Sequence, residues 1–307
     1  MERYQKLNNG NSIPILGLGT WESEKNLVGS TVKFAIAQAG YRHIDCASIY
    51  GNEKEIGEAL TDVVNTAVTR EELFITSKLW NTDHRPEHVE EACRKTLADL
   101  HLEYLDLYLM HFGIAFKHGG DLEPLDENGK VITDAVSIQE TWQAMEDLVK
   151  KGLVKSIGVS NFTTIMLIDL LTYAKVKPAM NQIELHPYNT QIELVDFCKR
   201  KDIAVTAYSP LGRQGVKEIK SPKLFDEPII KVLAKKHKRT PAQILLNWAI
   251  GRGTIAIPKS VIQKEIAENI KVFDFELADE EKTEINSLNH SRRLVDPMAW
   301  WGIPYFA

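Results

Sequence analysis

Short apolar runs alternate with longer amphipathic ones along nearly the whole chain. Eight of the short runs read as strands: ILGLG near residue 15, RHID near 43, LFITSKL near 75, YLDLYLM near 106, VKSIGVS near 156, PAMNQIE near 180, IAVTAYS near 205 and TIAIPKS near 256. Several are rich in β-branched residues, as strands covered on both faces of a parallel sheet are. Helix signals fall between them. Ser137-Ile-Gln-Glu140 is a capping box opening TWQAMEDLVKK, and Gly152 stands where that helix should stop. Arg85-Pro86 opens HVEEACRKTLADL, Thr240-Pro241 opens AQILLNWAI, and Asp279 is placed to cap EEKTEINSL.

Strict strand–helix alternation without a break in composition predicts an α/β fold, a (β/α)8 TIM barrel forming one domain over residues 1–307. The competing architecture is an open doubly wound sheet. Its fingerprint GxGxxG is missing after the first strand, where only Gly17-Leu-Gly19 occurs. Outside the alternation, the first fifteen residues read as a hairpin turning at Asn8-Asn9-Gly10. A long polar connection, 113–136, follows the fourth strand and should hang over the catalytic face, as functional loops of this length do. A C-terminal tail follows the last helix.

Composition narrows the partners. A formal net charge of −5 gives no basic footprint for nucleic acid. No apolar run reaches the length of a membrane span, and the polar start MERYQKLNNG lacks the core of a secretory signal. Cys46, Cys93 and Cys198 are odd in number and far apart, which suits a reducing, cytoplasmic compartment better than a disulfide framework. No histidine or cysteine cluster has zinc-like spacing, so no metal is expected.

Chemistry concentrates at three successive strand ends. The second strand leads to Asp45 and Tyr50, the third carries Lys78, and the fourth ends at His111. In a barrel these ends converge on one face. Each residue alone reads as an ordinary rim or loop group, but together they make a proton-transfer set. A free phenol has a pKa of about 10 and is a poor acid at neutral pH. An ammonium beside it should lower that value, a carboxylate should keep the ammonium charged, and a histidine opposite can orient a carbonyl oxygen.

In the settings RHIDCASIYGNE, ITSKLW and LMHF, these four residues resemble the catalytic tetrad of the aldo-keto reductase family. GLGTW (17–21), KSIGVSNF (155–162), NQIELHPY (181–188), TAYSPLG (206–212) and IPKS (257–260) also resemble family motifs, in the expected order. The nearest likeness is to its sugar-aldehyde reductases: aldose, xylose and mannose 6-phosphate reductases. The resemblance implies reduction of aldehydes by hydride transfer from NADP(H), and also from NAD(H), with Tyr50 as general acid, Lys78 and Asp45 tuning it, and His111 orienting the carbonyl. It implies that Ser160, Asn161 and Gln182 hold the nicotinamide amide and that Tyr208 stacks on its ring. Gly19, Thr20, Trp21, Ser209, Leu211, Gly212, Lys259, Ser260 and Val261 would follow the rest of the cofactor, with Glu268 and Asn269 at the adenine. Trp21, Ile49, Trp80, Phe112, Phe116, Val295 and Trp300 would line the substrate pocket.

Three departures carry information. NADPH-preferring relatives place an arginine six residues after the lysine of IPKS; here that position is Glu265, which predicts a weaker preference for the 2′-phosphate. The loop SPLGRQGVKE has Gly215 near the position of a latching aspartate, which predicts a weaker latch and faster cofactor release. Val295 and Ile49 replace polar residues of xylose reductases, removing two contacts to sugar hydroxyls. Arg292, Arg293 and Lys117 offer positive charge for an acidic or phosphorylated sugar. The expected partner is a small carbonyl compound, and the chain is expected to be a monomer or homodimer. Two other readings compete. One is a cofactor-binding regulatory or structural protein on the same fold, which would not need an intact tetrad. The other is a metal-dependent barrel hydrolase, which would need ligand clusters.

Overall fold

The computed structural model describes residues 3–24, 26–213 and 223–307. A two-stranded antiparallel hairpin, β1 (Tyr4–Lys6) and β2 (Ser12–Pro14), comes first and turns through Asn8–Gly10. Eight parallel strands follow: β3 (Leu18–Gly19), β4 (His43–Asp45), β5 (Phe74–Leu79), β6 (Leu107–Met110), β7 (Ile157–Ser160), β8 (Met180–Glu184), β9 (Ala204–Tyr208) and β10 (Ile255–Ala256). They pair in sequence order. A parallel bridge between Leu16 and Ala256 joins the first to the last, and Gly19 N–H donates to Pro258 O at 3.0 Å, so the sheet closes on itself as a (β/α)8 barrel. Gly19 has a steric reason to lack a side chain: a Cβ there would lie 2.9 Å from Ile257 O.

The first predicted strand is shorter than ILGLG suggests. Only Leu18 and Gly19 pair with β4, because Ile15, Leu16 and Gly17 turn their backbone groups to Ala256 and the hairpin. The helices are α1 (Val28–Phe34), α2 (Glu53–Val63), α3 (Pro86–Asp99), α4 (Ile138–Lys150), α5 (Thr164–Tyr173), α6 (Ile192–Arg200), α7 (Pro228–His237), α8 (Pro241–Gly251), α9 (Gln263–Asn269), α10 (Asp279–Asn286) and α11 (Pro297–Trp301). Among the described residues an added helix interrupts the alternation before the last strand, since both α7 and α8 lie between β9 and β10.

Caps and first-turn prolines explain several boundaries. Ser137 and Glu140 form the expected reciprocal box at α4, and Gly152 just beyond it takes φ +71°, where a side chain would be strained. Pro86 and Pro241 each occupy the first turn, and Thr240 and Gln243 form a second box. Asp279 is not a cap. It is the first helical residue of α10, and Ala278 precedes it with its N–H donated to Glu281 at 2.8 Å. Glu281 therefore supplies the satisfying carboxylate from inside the first turn.

Candidate functional site

The barrel register brings the strand ends level. Gly19 pairs with Asp45, Lys78 with Leu109, Ser160 with Gln182, and Glu184 with Tyr208. Tyr50 ends a single 3-10 turn, Ser48–Tyr50, and His111 directly follows β6.

Lys78 is fully buried, and its ammonium has three acceptors: Asp45 Oδ1 at 2.6 Å, Cys46 O at 2.8 Å and the Tyr50 phenol oxygen at 3.3 Å. Three N–H donors thus meet three acceptors, the condition under which a buried ammonium is tolerated. Burial alone would lower the lysine's pKa; Asp45 and Tyr50 together more than offset this and hold it above the usual range. The other Asp45 oxygen accepts from Gln182 Nε2 at 2.7 Å. Gln182 therefore turns its own oxygen away from the carboxylate.

The structure corrects one electrostatic expectation. Lys78 does pull the Tyr50 phenol toward acidity, but loss of solvent around the ring outweighs it and pushes the pKa up to about 12. Tyr50 is thus fully protonated at neutral pH. Because its oxygen accepts from Lys78, its own O–H points elsewhere. Burial, with Lys78 and His84 nearby, drives His111 well below the usual imidazole range, so it is neutral. Its Nδ1 is enclosed without a hydrogen-bond partner, and its ring stands edge-on to Tyr50 at 5.9 Å and to Trp80 at 5.2 Å. Nε2 is the nitrogen left to meet a ligand oxygen.

Ser160, Asn161 and Gln182 are all buried together beside the tetrad. Asn161, at φ +63°, donates to His111 O (2.9 Å) and Ser160 Oγ (3.1 Å) and accepts from the Tyr208 phenol at 2.7 Å. The Ser160 hydroxyl donates to Gln182 O at 2.9 Å. A primary amide needs one donor and two acceptors. The Ser160 rotor, the Gln182 oxygen and the second lone pair of Asn161 Oδ1 offer that set, so these residues fit a nicotinamide amide. Thr20 instead spends its hydroxyl on Asp45 O (2.8 Å), where it braces the tetrad. Ser209, at φ +49°, begins a turn closed by Gly212 N–H at 2.9 Å, with Leu211 between them. Lys259 is exposed and Val261 half-buried on the stretch leading into α9. There Glu265, itself exposed, accepts from the Ser260 hydroxyl at 2.6 Å, while Glu268 and Asn269 end the same helix.

Around the tetrad, Trp80, Phe112, Phe116, Val295 and Trp301 form an apolar cluster, with Trp21, Ile49, Ile114, Tyr208, Ile303 and Tyr305 packed against it. Phe116 sits behind Trp80 and Trp301, at ring distances of 6.1 and 4.9 Å. Trp300 is 41% exposed and meets Trp21 edge-on at 6.5 Å. Trp301 and Tyr305 were missed in sequence. Consecutive tryptophans give no phase, and it is the start of α11 at Pro297 that turns Trp301 inward. Tyr305 accepts from Gly113 N–H at 2.8 Å. Segment 113–136 folds on itself through bridges Phe116–Thr133 and Leu125–Val131. It takes the indole N–H of Trp80 on Leu122 O and that of Trp301 on Glu123, both at 2.7 Å.

Arg213 also escaped the sequence reading. Its Nη2 pairs with Glu22 at 2.7 Å, its guanidinium lies 4.5 Å from the Trp21 ring, and its Nη1 donates to Leu294 O at 3.4 Å. It ties together the loops after β3 and β9 and the segment after α10. Gly215, the position read as a lost latch, lies outside the described residues; the ion pair two residues before it was not foreseen. Arg293 is likewise engaged, 3.6 Å from the Phe306 ring and on Gln191 at 3.2 Å. Among the described residues no group of three or more His, Cys, Asp or Glu is placed to hold a metal ion, no helix is long and apolar enough to cross a membrane, and the three cysteines are buried and free.

Known proteins share both sequence and shape. The family model "Aldo/keto reductase family" matches residues 15–290. The aldo-keto reductase family 1 member A1 proteins of Rattus norvegicus and Homo sapiens are each 51% identical over 296 residues, covering 95% of this chain and 91% of theirs. That of Mus musculus is 52% identical over the same lengths. The structure of the aldose reductase from Schistosoma japonicum superposes with a TM-score of 0.93 at 47% identity, over 100% of this chain and 98% of that one. A closed eight-stranded barrel, a lysine-bridged tyrosine at its mouth and half-identity across nearly the full length lead to one assignment: the chain belongs to the aldo-keto reductase family and is an NAD(P)H-dependent oxidoreductase that reduces aldehydes.

Proposed function

We propose that Tyr50, Lys78, Asp45 and His111 reduce sugar-derived aldehydes in a cytoplasmic, single-domain enzyme, monomeric or dimeric, spanning residues 1–307. The observation that carries this reading is the donor count at Lys78. With all three ammonium protons committed and one of them on the Tyr50 oxygen, the phenol proton is free to serve a substrate. Bound NAD(P)H supplies the hydride. As the carbonyl carbon gains it, the π electrons move to oxygen, which takes the Tyr50 proton. Lys78 stabilises the phenolate left behind, and His111 Nε2–H steadies the oxygen while charge builds there. Aromatic walls from Trp21, Trp80 and Phe112 exclude water and suit the C–H faces of a sugar chain. Consumption of NADPH absorbance at 340 nm only when an aldehyde is present, across trioses to hexoses, tests the reading; tight nucleotide binding without turnover on any aldehyde would refute it.

Glu265 supports use of both nucleotides. Its carboxylate lies on the Ser260 hydroxyl, in the place where the family likeness puts a 2′-phosphate. Glu265→Arg should raise the NADPH-over-NADH ratio of kcat/KM by ~10-fold or more, the worth of a charged hydrogen bond. A ratio that stays put means that Glu265 does not face the nucleotide.

The Glu22–Arg213 pair is our candidate for the clasp across the nucleotide cleft. Glu22 is about half exposed, at 47% for its side chain, so the pair is worth little. Arg213→Ala should speed nucleotide release by about two- to five-fold in stopped-flow fluorescence. Unchanged release would assign Arg213 to the tail alone.

A further inference from the structure

Glu184 is the last residue of β8 and two positions beyond Gln182, so the two side chains leave the strand on the same side. Gln182 reaches back to Asp45. Glu184 reaches forward. Its Oε1 accepts from Leu294 N–H at 2.7 Å and its Oε2 from Val295 N–H at 3.0 Å, while His186 Nε2 lies 2.7 Å from Oε1. Its side chain is fully buried. A carboxylate kept away from water needs such partners, and here two of the three are main-chain amides of a segment with no helix or strand of its own. The loop after β8 adds grip on the same segment, with Arg292 N–H donating to Tyr188 O at 2.9 Å and Thr190 N–H to Asn289 Oδ1 at 3.1 Å. Val295, held directly by Glu184, is part of the apolar cluster at the site, and Trp300 five residues on meets Trp21. Among the described residues Glu184 makes no hydrogen bond to Asp45, Tyr50, Lys78 or His111.

We infer that Glu184 is a positioning residue for substrate selection: it pins Leu294 and Val295 to the end of β8 and so fixes the wall against which the far end of an aldehyde rests. This rests on the reductase reading above. Replacing the carboxylate by an amide turns an NH2 group toward one of the two backbone donors, so that one anchor is lost.

The test is Glu184→Gln assayed with propanal, which ends near Tyr50, and 4-nitrobenzaldehyde, whose ring reaches the Val295 side. KM for the aromatic aldehyde should rise ~10-fold, with kcat/KM for propanal and NADPH affinity within about two-fold. Glu184→Asp, which keeps the charge but draws it back, should fall between. Equal losses on both substrates, or an unchanged aromatic KM, overturn the proposal. If the variants do not fold, hydrogen exchange on the wild type decides. Leu294 and Val295 amides should exchange as slowly as those of β8; fast exchange there overturns the anchoring. A wild type that turns over neither aldehyde would instead sink the reductase reading and leave the exchange result to judge Glu184.

Discussion

Tyr50→Phe should lower kcat for aldehyde reduction by ~1,000-fold while the protein stays folded and binds nucleotide. One hydroxyl proton serves as both general acid and charge-stabilising donor, roles worth roughly 100- to 10,000-fold and 100- to 1,000-fold in enzymes of known mechanism, which overlap in that proton and do not multiply. The ring is retained, so its contacts at 6.5 Å with Trp21 and 5.9 Å with His111 persist. Only the oxygen that accepts from Lys78 disappears, which leaves one buried ammonium N–H without its partner at a stability cost of about 1–3 kcal/mol. Steady-state rates at 340 nm and a melting curve check both halves. A variant retaining a tenth of the rate would show that water or His111 delivers the proton. The pH dependence has a definite sign. Reduction needs the phenol protonated, and its pKa is pushed up to about 12. Tyr50 therefore imposes no alkaline fall in reductive kcat through the neutral and mildly basic range; a fall centred near pH 8 would implicate another group.

Lys78→Met should be the more damaging change to the fold, and it weakens the chemistry as well. It removes the ammonium that opposes the effect of burial on Tyr50, so the phenol becomes a still weaker acid and kcat falls by ~100-fold or more. It also strands the Asp45 carboxylate, which is 2% exposed and keeps only Gln182. Breaking one side of a buried pair costs about 3–5 kcal/mol. Adding Asp45→Asn should recover most of that stability, since the charge is gone and an amide oxygen can still accept from Gln182. Activity should not return. Denaturant melts of the single and double variants read this out. If the double variant is no more stable than Lys78→Met alone, Asp45 is not the lysine's stabilising partner.

Much of this was legible in the chain because it is written in periodicity. The strand runs after the first, the Ser137 box and the two helix-opening prolines are local signals, and each lies where the pattern put it. The tetrad was legible because strand ends converge in a barrel, whatever their separation in sequence. Four things were not. Asp279 looks like a cap by residue type, but the backbone entered the helix one residue earlier. The acidity of Tyr50 is a balance of burial against charge, and no sequence gives the burial. Which of Trp300 and Trp301 turns inward depends on the phase of a five-residue helix. Glu22 with Arg213, and Glu184 with the amides of Leu294 and Val295, are contacts between segments more than a hundred residues apart. Such long-range pairing follows from tertiary geometry alone.

The shortest strands of the ring, Leu18–Gly19 and Ile255–Ala256, are the ones that must meet to complete it. During synthesis the early strands emerge long before their last neighbour exists. Until Ile255 and Ala256 are made, the nascent sheet is an open ribbon with bare backbone donors and acceptors along two borders, the form most prone to stick to other chains. The hairpin that precedes the ring is held across the barrel by Asn8 and Asn9, whose amides donate to Pro178, Lys155 and Ser156, all of them made well before Ile255, so these bonds do not depend on the closing strand.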